Sequence, residues 1–550
     1  MSGTGPGPLG PLRRGDLAIL ALLAAVFFTW LGRVELLGPD EARHAEIARE
    51  MLVRGAYLTP ELHGVPYHDK PAAFYWLVAG SLAAFGTNEF AARLPSVIAS
   101  LLTVFLTARF IARYASRWAA SLVAIALATT PVFVALGRYG ILDMTLAASL
   151  TAAFTTLGAW WIEHSRRTPY AFYAFIGIAV LIKGPVAIAQ AAIALITLVV
   201  LAHRDPTRSS ADTRQALAPL RGLLTIAVVA APWYLAAAAA RPDYIGDFLL
   251  AHNLERFTGA GPGAEHAEPW WYYAATLPLV LLPWTPWVAA ALARMAGRRE
   301  HSDLEMFCAV WAISLAAVYL PAQSKLVTYM LPVLVPLLCL GALRGAAGAR
   351  DGGAAFERAG QWARRWALGF AALTTAAATA ACVFVLAEHA ALVGRLWVTL
   401  PALAALPVVA NLPRRAGAQR FAAATAASAL ALLVIAYGLA GDVVGHYKGM
   451  RSLAAVLEHE LPAEMQLRTF RAPPHAATFY TGRVVPGVAT PAHAVALLRA
   501  EAPAALVLRR RHLARLGRPL PAGVIERWAS PGGMVLLSNT DSRQSASENN

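Results

Sequence analysis

"LAILALLAAVFFTWLGRVELLGPDEARHAEIAREM" (Leu17–Met51) changes character halfway along. It opens on an apolar run, Leu17–Leu31, and then turns abruptly into a dense run of charge headed by Asp40 and Glu41. The first half asks for lipid and the second for water, so the chain meets a membrane surface here. The remainder of the sequence repeats the first half many times. Hydrophobic residues make up 58% of 550 positions, charged residues only 14%, and the mean hydropathy is +0.51. A soluble domain carries roughly 25% charged residues. Too little polar surface remains to cover a soluble globule, which makes this a polytopic membrane protein. The formal net charge of +15 does not argue for nucleic acid, because the basic residues fall in short gaps between apolar runs.

Windows of about 20 apolar residues give about thirteen candidate transmembrane helices. They begin near Asp16, Ala91, Arg117, Ile141, Pro169, Pro185, Pro219, Trp270, Asp303, Lys325, Trp366, Gly394 and Phe421. The pair around Lys183 also reads as one broken span. "PAAFYWLVAGSLAAFG" (Pro71–Gly86) is short and aromatic and is expected in the interface. Alternate gaps collect arginine: Arg13/Arg14, Arg109/Arg113/Arg117, Arg166/Arg167, Arg204/Arg208/Arg214, Arg294/Arg298/Arg299, the cluster from Arg344 to Arg365, and Arg414/Arg415/Arg420. The positive-inside rule makes these gaps cytoplasmic. An odd number of spans then leaves the C-terminus outside.

Cys308, Cys339 and Cys382 all lie inside apolar runs and offer neither metal spacing nor a disulfide framework. The first span lacks a small-residue cleavage site and reads as an uncleaved anchor. The expected organisation is a transmembrane domain over 1–440, with a first outer loop at 35–90 carrying interfacial helices. An outer α/β domain follows at 441–538, then a polar disordered tail at 539–550. In that α/β domain "MRSLAAVLEHEL" and "PAHAVALLRAEA" read as helices. "ATFYTGRVV", "AALVLRR" and "GGMVLLS" read as strands.

The charged half of the opening stretch is amphipathic at helical period. Ala45, Ile47, Ala48, Met51 and Leu52 form one side, with Arg43, Glu46, Arg49 and Glu50 largely opposite. Pro39 and Gly55 are boundary signals, and the helix is expected along the outer interface. Asp40 stands at its start, where a carboxylate caps backbone N–H groups. Spacing by itself favours that capping reading of Asp40 over a chemical one.

Polar residues on the outer side say more together. "YHDKP" supplies Tyr67, His68, Asp69 and Lys70; "GRYGILDM" supplies Arg138 and Asp143; "LIKGPV" places Lys183 at an outer hinge. "AHNLERF" gives His252 and Arg256, "EHAEPWWYY" gives His266, and "QSKLVTYMLP" gives Lys325 and Tyr329. An ionisable group at membrane depth costs about 2.5–3.5 kcal/mol on insertion scales, and marks a functional site by default. Each cation by itself could snorkel to headgroups. Several converging beside three acids suit an anion embedded in lipid, most simply a lipid phosphate.

The order Asp-Glu-Ala-Arg (Asp40–Arg43), Glu-Ile-Ala-Arg-Glu-Met (Glu46–Met51), Gly-Val-Pro-Tyr-x-x-Lys-Pro (Gly64–Pro71), Tyr-Trp-Leu (Tyr75–Leu77) and Asn-Glu-Phe-x-Ala-Arg-Leu-Pro (Asn88–Pro95) resembles the bacterial aminoarabinose (lipid A) transferases. These are relatives of the protein O-mannosyltransferases, among the polyprenyl-phosphate-sugar glycosyltransferases of C-type fold. The likeness continues through "RYGILDM", "KGPV", "NLERF", "PWWYY" and "SKLVTYMLP", so it covers most of the chain to about Pro336.

The resemblance implies an integral enzyme of the bacterial inner membrane, with its active site and C-terminal domain on the periplasmic side. It would move a sugar such as 4-amino-4-deoxy-L-arabinose from an undecaprenyl-phosphate carrier to lipid A or another periplasmic acceptor. Asp40 would match the catalytic acid and Asp143 the second acidic position, with Glu41 and Tyr67 nearby. Arg43, Lys70, Arg256 and Tyr329 would match positions that hold the carrier phosphate, and Arg138, Lys183 and Lys325 extend that cationic set. The family commonly has Glu before Lys-Pro; this chain has Asp69, a shorter arm, and Asp69 with His252 is the candidate pair for a divalent metal.

The residues agree with that chemistry. A sugar already esterified to phosphate at its anomeric carbon needs no nucleotide loop, and no P-loop or Gly-rich dinucleotide pattern occurs. Membrane lipids are expected partners and nucleic acid is not. Two other readings stay open: a protein O-glycosyltransferase, which shares every motif, and a polytopic lipid or solute transporter. A transporter usually shows paired halves with broken helices near the midplane, and no such internal symmetry is visible.

Overall fold

The computed structural model describes residues 14–258, 266–297, 301–351, 449–460, 465–517, 519–530 and 533–539. The expected spans near Trp366, Gly394 and Phe421, Cys382, and the tail from 540 lie outside the described residues. In chain order the structure begins α1 (Arg14–Phe28), α2 (Gly38–Arg54), β1 (Glu61–Leu62), β2 (Val65–Pro66), α3 (Ala73–Phe85) and α4 (Glu89–Tyr114). Then come α5 (Arg117–Thr129), α6 (Pro131–Gly137), α7 (Leu142–Ile162), α8 (Tyr170–Lys183), α9 (Val186–Arg204), α10 (Ser210–Leu217) and α11 (Pro219–Ala240). α12 (Pro242–Leu249) runs through a π turn, Leu250–Glu255, into the single turn α13 (Arg256–Thr258). α14 (Tyr272–Val280), α15 (Thr285–Gly297), α16 (Asp303–Tyr319) and α17 (Leu331–Asp351) follow. The C-terminal segment holds α18 (Met450–Glu460), β3 (Gln466–Phe470), α19 (Pro474–Thr481), α20 (Pro491–Arg499), β4 (Ala504–Arg509), β5 (Ile525–Ala529) and β6 (Met534–Ser538).

Five described helices are long and apolar enough to cross a membrane, or six if the bent pair α5 and α6 counts as one span. The chain is a multi-pass membrane protein. It divides into two compact units: Met1–Thr29 with His68–Phe74 and Leu94–Ile435, and Trp30–Tyr67 with Tyr75–Arg93 and Ala436–Asn550. Most of the first loop thus falls in the same unit as the C-terminal segment.

In the first unit, burial ranks the helices. The apolar windows of α7 and α17 are 83% buried, while that of α10–α11 is only 22% buried. α7 and α17 therefore form the centre, and α11 exposes an apolar surface suited to lipid. Small residues let the central helices close up. A Cβ on Gly158 would stand 2.6 Å from both Phe110 and Phe307, and Phe154 stacks on Trp311 with centroids 5.6 Å apart. Ser100, Thr103 and Thr107 of α4 return their hydroxyls to carbonyls one turn back, which satisfies them where water is absent. Cys308 and Cys339 are buried and free.

Three spans depart from the smooth helices expected. The span from Arg117 bends by 68° between α5 and α6, where Pro131 starts the new helix because it lacks an N–H for the old one. The span near Trp270 is two helices, α14 and α15, separated at Leu281–Trp284 in a stretch that holds Pro278, Pro283 and Pro286. The helix expected from Lys325 begins only at Leu331: Ser324 pairs with Ala267 as a short bridge, and Val327–Met330 is a 3₁₀ turn.

The second unit has a four-stranded sheet in the order β3-β4-β6-β5. β3 and β4 are parallel and the remaining pairs antiparallel. The central strands β4 and β6 are almost wholly buried, which explains their unbroken apolar sequences. Phe470, Leu506, Leu508, Val535 and Leu537 meet Ala494 and Leu498 of α20 in one core. "AALVLRR" and "GGMVLLS" hold strands as expected. "ATFYTGRVV" does not: its first half lies in α19, which starts after Pro473 with Pro474 in its first turn and ends at Gly482 with a left-handed φ of 66°. Those start and stop signals outweigh the strand propensity of its aromatic and β-branched residues.

α2 packs against α19 in the same unit. Glu35, ahead of α2, accepts the backbone N–H groups of Met450 and Arg451 at 3.1 and 3.0 Å. Burial raises the Glu35 carboxyl above its usual range against the lowering pull of those N–H groups and of Arg451. Tyr480 Oη accepts Leu36 N at 2.8 Å and donates to Glu89 at 2.8 Å, and Arg451 pairs with Glu89. The segment leading into α2 is thereby fixed to α18 and α19.

Candidate active site

Two constellations hold the residues singled out in the sequence, one in each unit. In the first unit Asp143 lies in the first turn of α7 and Lys183 is the last residue of α8. Gly184, with φ of 95°, ends α8 there, a conformation that disfavours a side chain. Lys183 donates to Asp143, with the side chains 11% and 9% exposed. Its Nζ stands 4.4 Å from the Tyr329 ring centroid, and Tyr329 stacks on Tyr319 at 5.2 Å. A charge buried this far requires a partner, and here an ammonium is shared between a carboxylate and an aromatic face.

The tripeptide His68-Asp69-Lys70 is gripped by α12 and the π turn after it. Lys70 Nζ lies 2.5 Å from Asp69 Oδ1 and donates to the Asp69 carbonyl at 2.8 Å. His252 Nδ1 is 3.1 Å from the same carboxylate oxygen. Tyr244 donates its hydroxyl to the Lys70 carbonyl at 2.6 Å, and His68 Nδ1 meets Asp247 at 2.8 Å. Burial would raise the Asp69 carboxyl, but Lys70 and His252 overcome it and hold the group well below the usual carboxylate range.

Two expected phosphate ligands have backbone partners. Arg138 donates to the carbonyls of Val26 and Thr29 at 2.6 and 2.5 Å, closing the end of α1. Lys325 donates to the carbonyls of Ala322 and Glu268 at 2.5 and 3.0 Å, bracing the turn before α17. Both are nearly sealed from solvent. Arg256 falls in α13, and its side chain lies outside the described residues.

In the second unit Asp40 is not the cap of its helix. α2 begins at Gly38 with Leu37 as the cap position, so Asp40 is the third helical residue. Its half-exposed carboxylate pairs with Arg43, whose guanidinium stands 5.8 Å from the Tyr67 ring centroid. The capping work falls to Glu41, which accepts Leu37 N at 2.6 Å. Glu41 is fully buried and takes both Nε and Nη2 of Arg93, at 2.8 and 2.9 Å. Arg93 also donates to the carbonyls of Leu31, Val34 and Glu35. One arginine thus closes the turn that delivers Asp40. Its place in "NEFAARLP" was legible as motif, but its role was not. Tyr244, Asp247 and Tyr319 were likewise missed, because single polar groups on apolar helices carry no spacing signal.

Asp69 and His252 supply two metal donors, and the Lys70 ammonium occupies the same carboxylate oxygen that a cation would need. Among the described residues no group of three or more His, Cys, Asp or Glu could hold a metal ion.

Comparison with known proteins follows the same residues. The family described as dolichyl-phosphate-mannose-protein mannosyltransferase matches residues 69–236. The undecaprenyl phosphate-α-4-amino-4-deoxy-L-arabinose arabinosyl transferase 2 of Proteus mirabilis is 32% identical over 343 residues, 60% of each chain. The corresponding transferase of Shewanella sediminis is 32% identical over 333 residues, 58% of each chain. The chain therefore spans about three fifths of the length of the curated relatives it matches. The crystal structure of ArnT from Cupriavidus metallidurans bound to undecaprenyl phosphate superposes with a TM-score of 0.73 at 21% identity, covering 95% of this chain and 98% of that one. In sequence the chain is similar to the undecaprenyl-phosphate arabinosyl transferases, and in fold it is an ArnT-like helical membrane protein.

Proposed function

We propose that the protein is a membrane glycosyltransferase that moves a sugar from an undecaprenyl-phosphate carrier to a lipid A-type acceptor at the periplasmic face of the inner membrane. The observation that carries this reading is where the family match falls. Residues 69–236 contain both part-buried carboxylate–ammonium pairs, Asp69–Lys70 and Asp143–Lys183. The relatives' names supply the carrier and the sugar, 4-amino-4-deoxy-L-arabinose.

The reaction is in-line displacement at the anomeric carbon. A bond forms from the acceptor oxygen as the bond to the carrier phosphate oxygen breaks, and the carrier departs as undecaprenyl phosphate. Asp40 takes the proton of an acceptor hydroxyl; if the acceptor is itself a phosphate, already anionic, Asp40 orients it. Lys70, Lys183, Arg43 and Arg256 offset the charge that develops on the leaving phosphate, and Tyr329 donates a hydrogen bond. Asp143 holds Lys183 in place, and Glu41 with Arg93 holds the turn before Asp40. The first loop and the segment from 449 stand on the periplasmic side, consistent with the arginine-rich alternate loops.

The family description over 69–236 names a protein acceptor, so transfer to a protein hydroxyl is the second reading. Mass spectrometry of lipid A from cells with and without the gene separates the two. One added aminoarabinose mass on lipid A supports the proposal. Unmodified lipid A alongside a glycosylated envelope protein replaces it with the second reading.

A further inference from the structure

Between Gln466 and Asn539 the sequence has ten arginines, no lysine and two acids, Glu501 and Glu526. Glu526 pairs with Arg510. The remaining charge is gathered rather than spread. Arg509, Arg510 and Arg511 are consecutive in the chain, and Arg515 follows within the same short helical turn, Arg510–Leu516. Arg471, Arg511 and Arg515 are exposed and Arg509 partly so.

Beside this cluster runs an open groove of about 720 Å³ between α20 and the turn Arg510–Leu516. Pro491, Ala492, Val495, Ala496 and Leu516 give it an apolar lining, and Arg499 and Arg515 are its charged members. Both arginines are exposed. The helical spacing of α20 makes the arrangement: Val495 and Arg499 are one turn apart on one face, while Ala494 and Leu498 face the core.

We propose that this groove is a binding site for a lipid whose phosphate headgroup carries net negative charge, with the phosphate on Arg499 and Arg515 and the first part of the acyl chain along Ala492, Val495 and Ala496. Arginine suits this ligand because its planar fork meets two phosphate oxygens at once. The apolar lining distinguishes an amphiphile from a free anion, and the surplus of arginine over acid excludes a cationic partner. None of these residues belongs to the proposed transfer chemistry, so the site stands or falls independently of that reading.

The test is hydrogen–deuterium exchange on the full chain in non-ionic detergent, read locally so that lipid bound elsewhere does not register. Dihexanoyl phosphatidic acid is expected to slow exchange in peptides covering 491–499 and 510–517 at least about threefold. Dihexanoyl phosphatidylcholine and inorganic phosphate are each expected to leave those peptides unchanged. Arg499→Gln with Arg515→Gln should abolish the protection while β4 and β6 exchange as in the wild type. No protection in the wild type overturns the proposal, as does equal protection by phosphatidylcholine. Equal protection by inorganic phosphate reduces the groove to an anion site and overturns a lipid. These wild-type comparisons decide the matter even if the double variant loosens the sheet.

Discussion

Arg93 reaches back over 52 residues to lay Nε and Nη2 on the two carboxylate oxygens of Glu41, at 2.8 and 2.9 Å. The pair is sealed from solvent, 3% and 0% exposed at the side chains, and it lies directly after Asp40 in the chain. Removing one partner of such a pair leaves an unpaired buried charge, which costs about 3–5 kcal/mol. Arg93→Leu should therefore lower the unfolding midpoint in detergent sharply. Adding Glu41→Leu should recover part of that loss. A double variant as unstable as the sum of the singles would remove the pairing argument.

Asp40→Asn tests the catalytic role proposed for Asp40. Asp40 does not cap α2, so Asn at that position should leave the helix and the protein level close to normal. Positioned proton transfer is worth roughly 10²–10⁴-fold in rate. Sugar transfer by the purified variant, with a fixed lipid-linked donor, should drop at least about a hundredfold. Near-normal turnover would pass the role to another carboxylate.

Asp143→Asn should be milder in turnover than Asp40→Asn, because Asp143 is proposed to position Lys183 and not to touch the acceptor. Its effect should appear mainly in KM for the carrier-linked sugar. A loss confined to kcat and as large as that of Asp40→Asn would place Asp143 in the chemistry.

Lys70→Ala should weaken carrier binding by about 1.5–3 kcal/mol, the worth of a hydrogen bond to a charged group. The same change removes the main influence that holds the Asp69 carboxyl low, so Asp69 should titrate closer to the ordinary range. Carrier affinity measured by titration calorimetry checks the first effect. Unaltered affinity would leave Lys70 as the local partner of Asp69 only.

The His63–His475 contact gives a pH dependence. The two rings lie 3.4 Å apart, Nδ1 to Nε2, and Thr478 Oγ1 is 3.2 Å from His63. Desolvation, then His63 and Arg43, push His475 down to about 4. The unfolded chain, with a His pKa near 6.5, therefore binds more protons between those values. Stability is full above about 6.5 and falls as pH drops toward 4. His475→Gln should flatten the thermal midpoint over that window relative to wild type. Parallel curves for the two proteins would contradict the assignment.

Membrane class, the amphipathic α2 and the break at Lys183-Gly184-Pro185 could all be read from the sequence. Each depends on local composition, periodicity, or the backbone limits of glycine and proline, none of which needs a distant partner. The charged candidates were legible as well, since a charge in an apolar setting stands out one residue at a time.

The partners of those charges were settled only by the fold. Arg138 and Lys325 stand out in sequence as cations, but the carbonyls they meet lie 112 residues before the one and 57 residues before the other. The capping expected of Asp40 falls to Glu41, because Arg93, far along the chain, pairs with the second carboxylate and leaves the first half-exposed. Asp69 is held ionised by its neighbour Lys70, which sequence shows, and by His252, which only the π turn after α12 delivers. Local pattern fixes which groups are present and on which face of a helix they lie. The partner of a buried charge is decided by which donor or acceptor packing brings within about 3 Å, and that depends on contacts between segments remote in sequence.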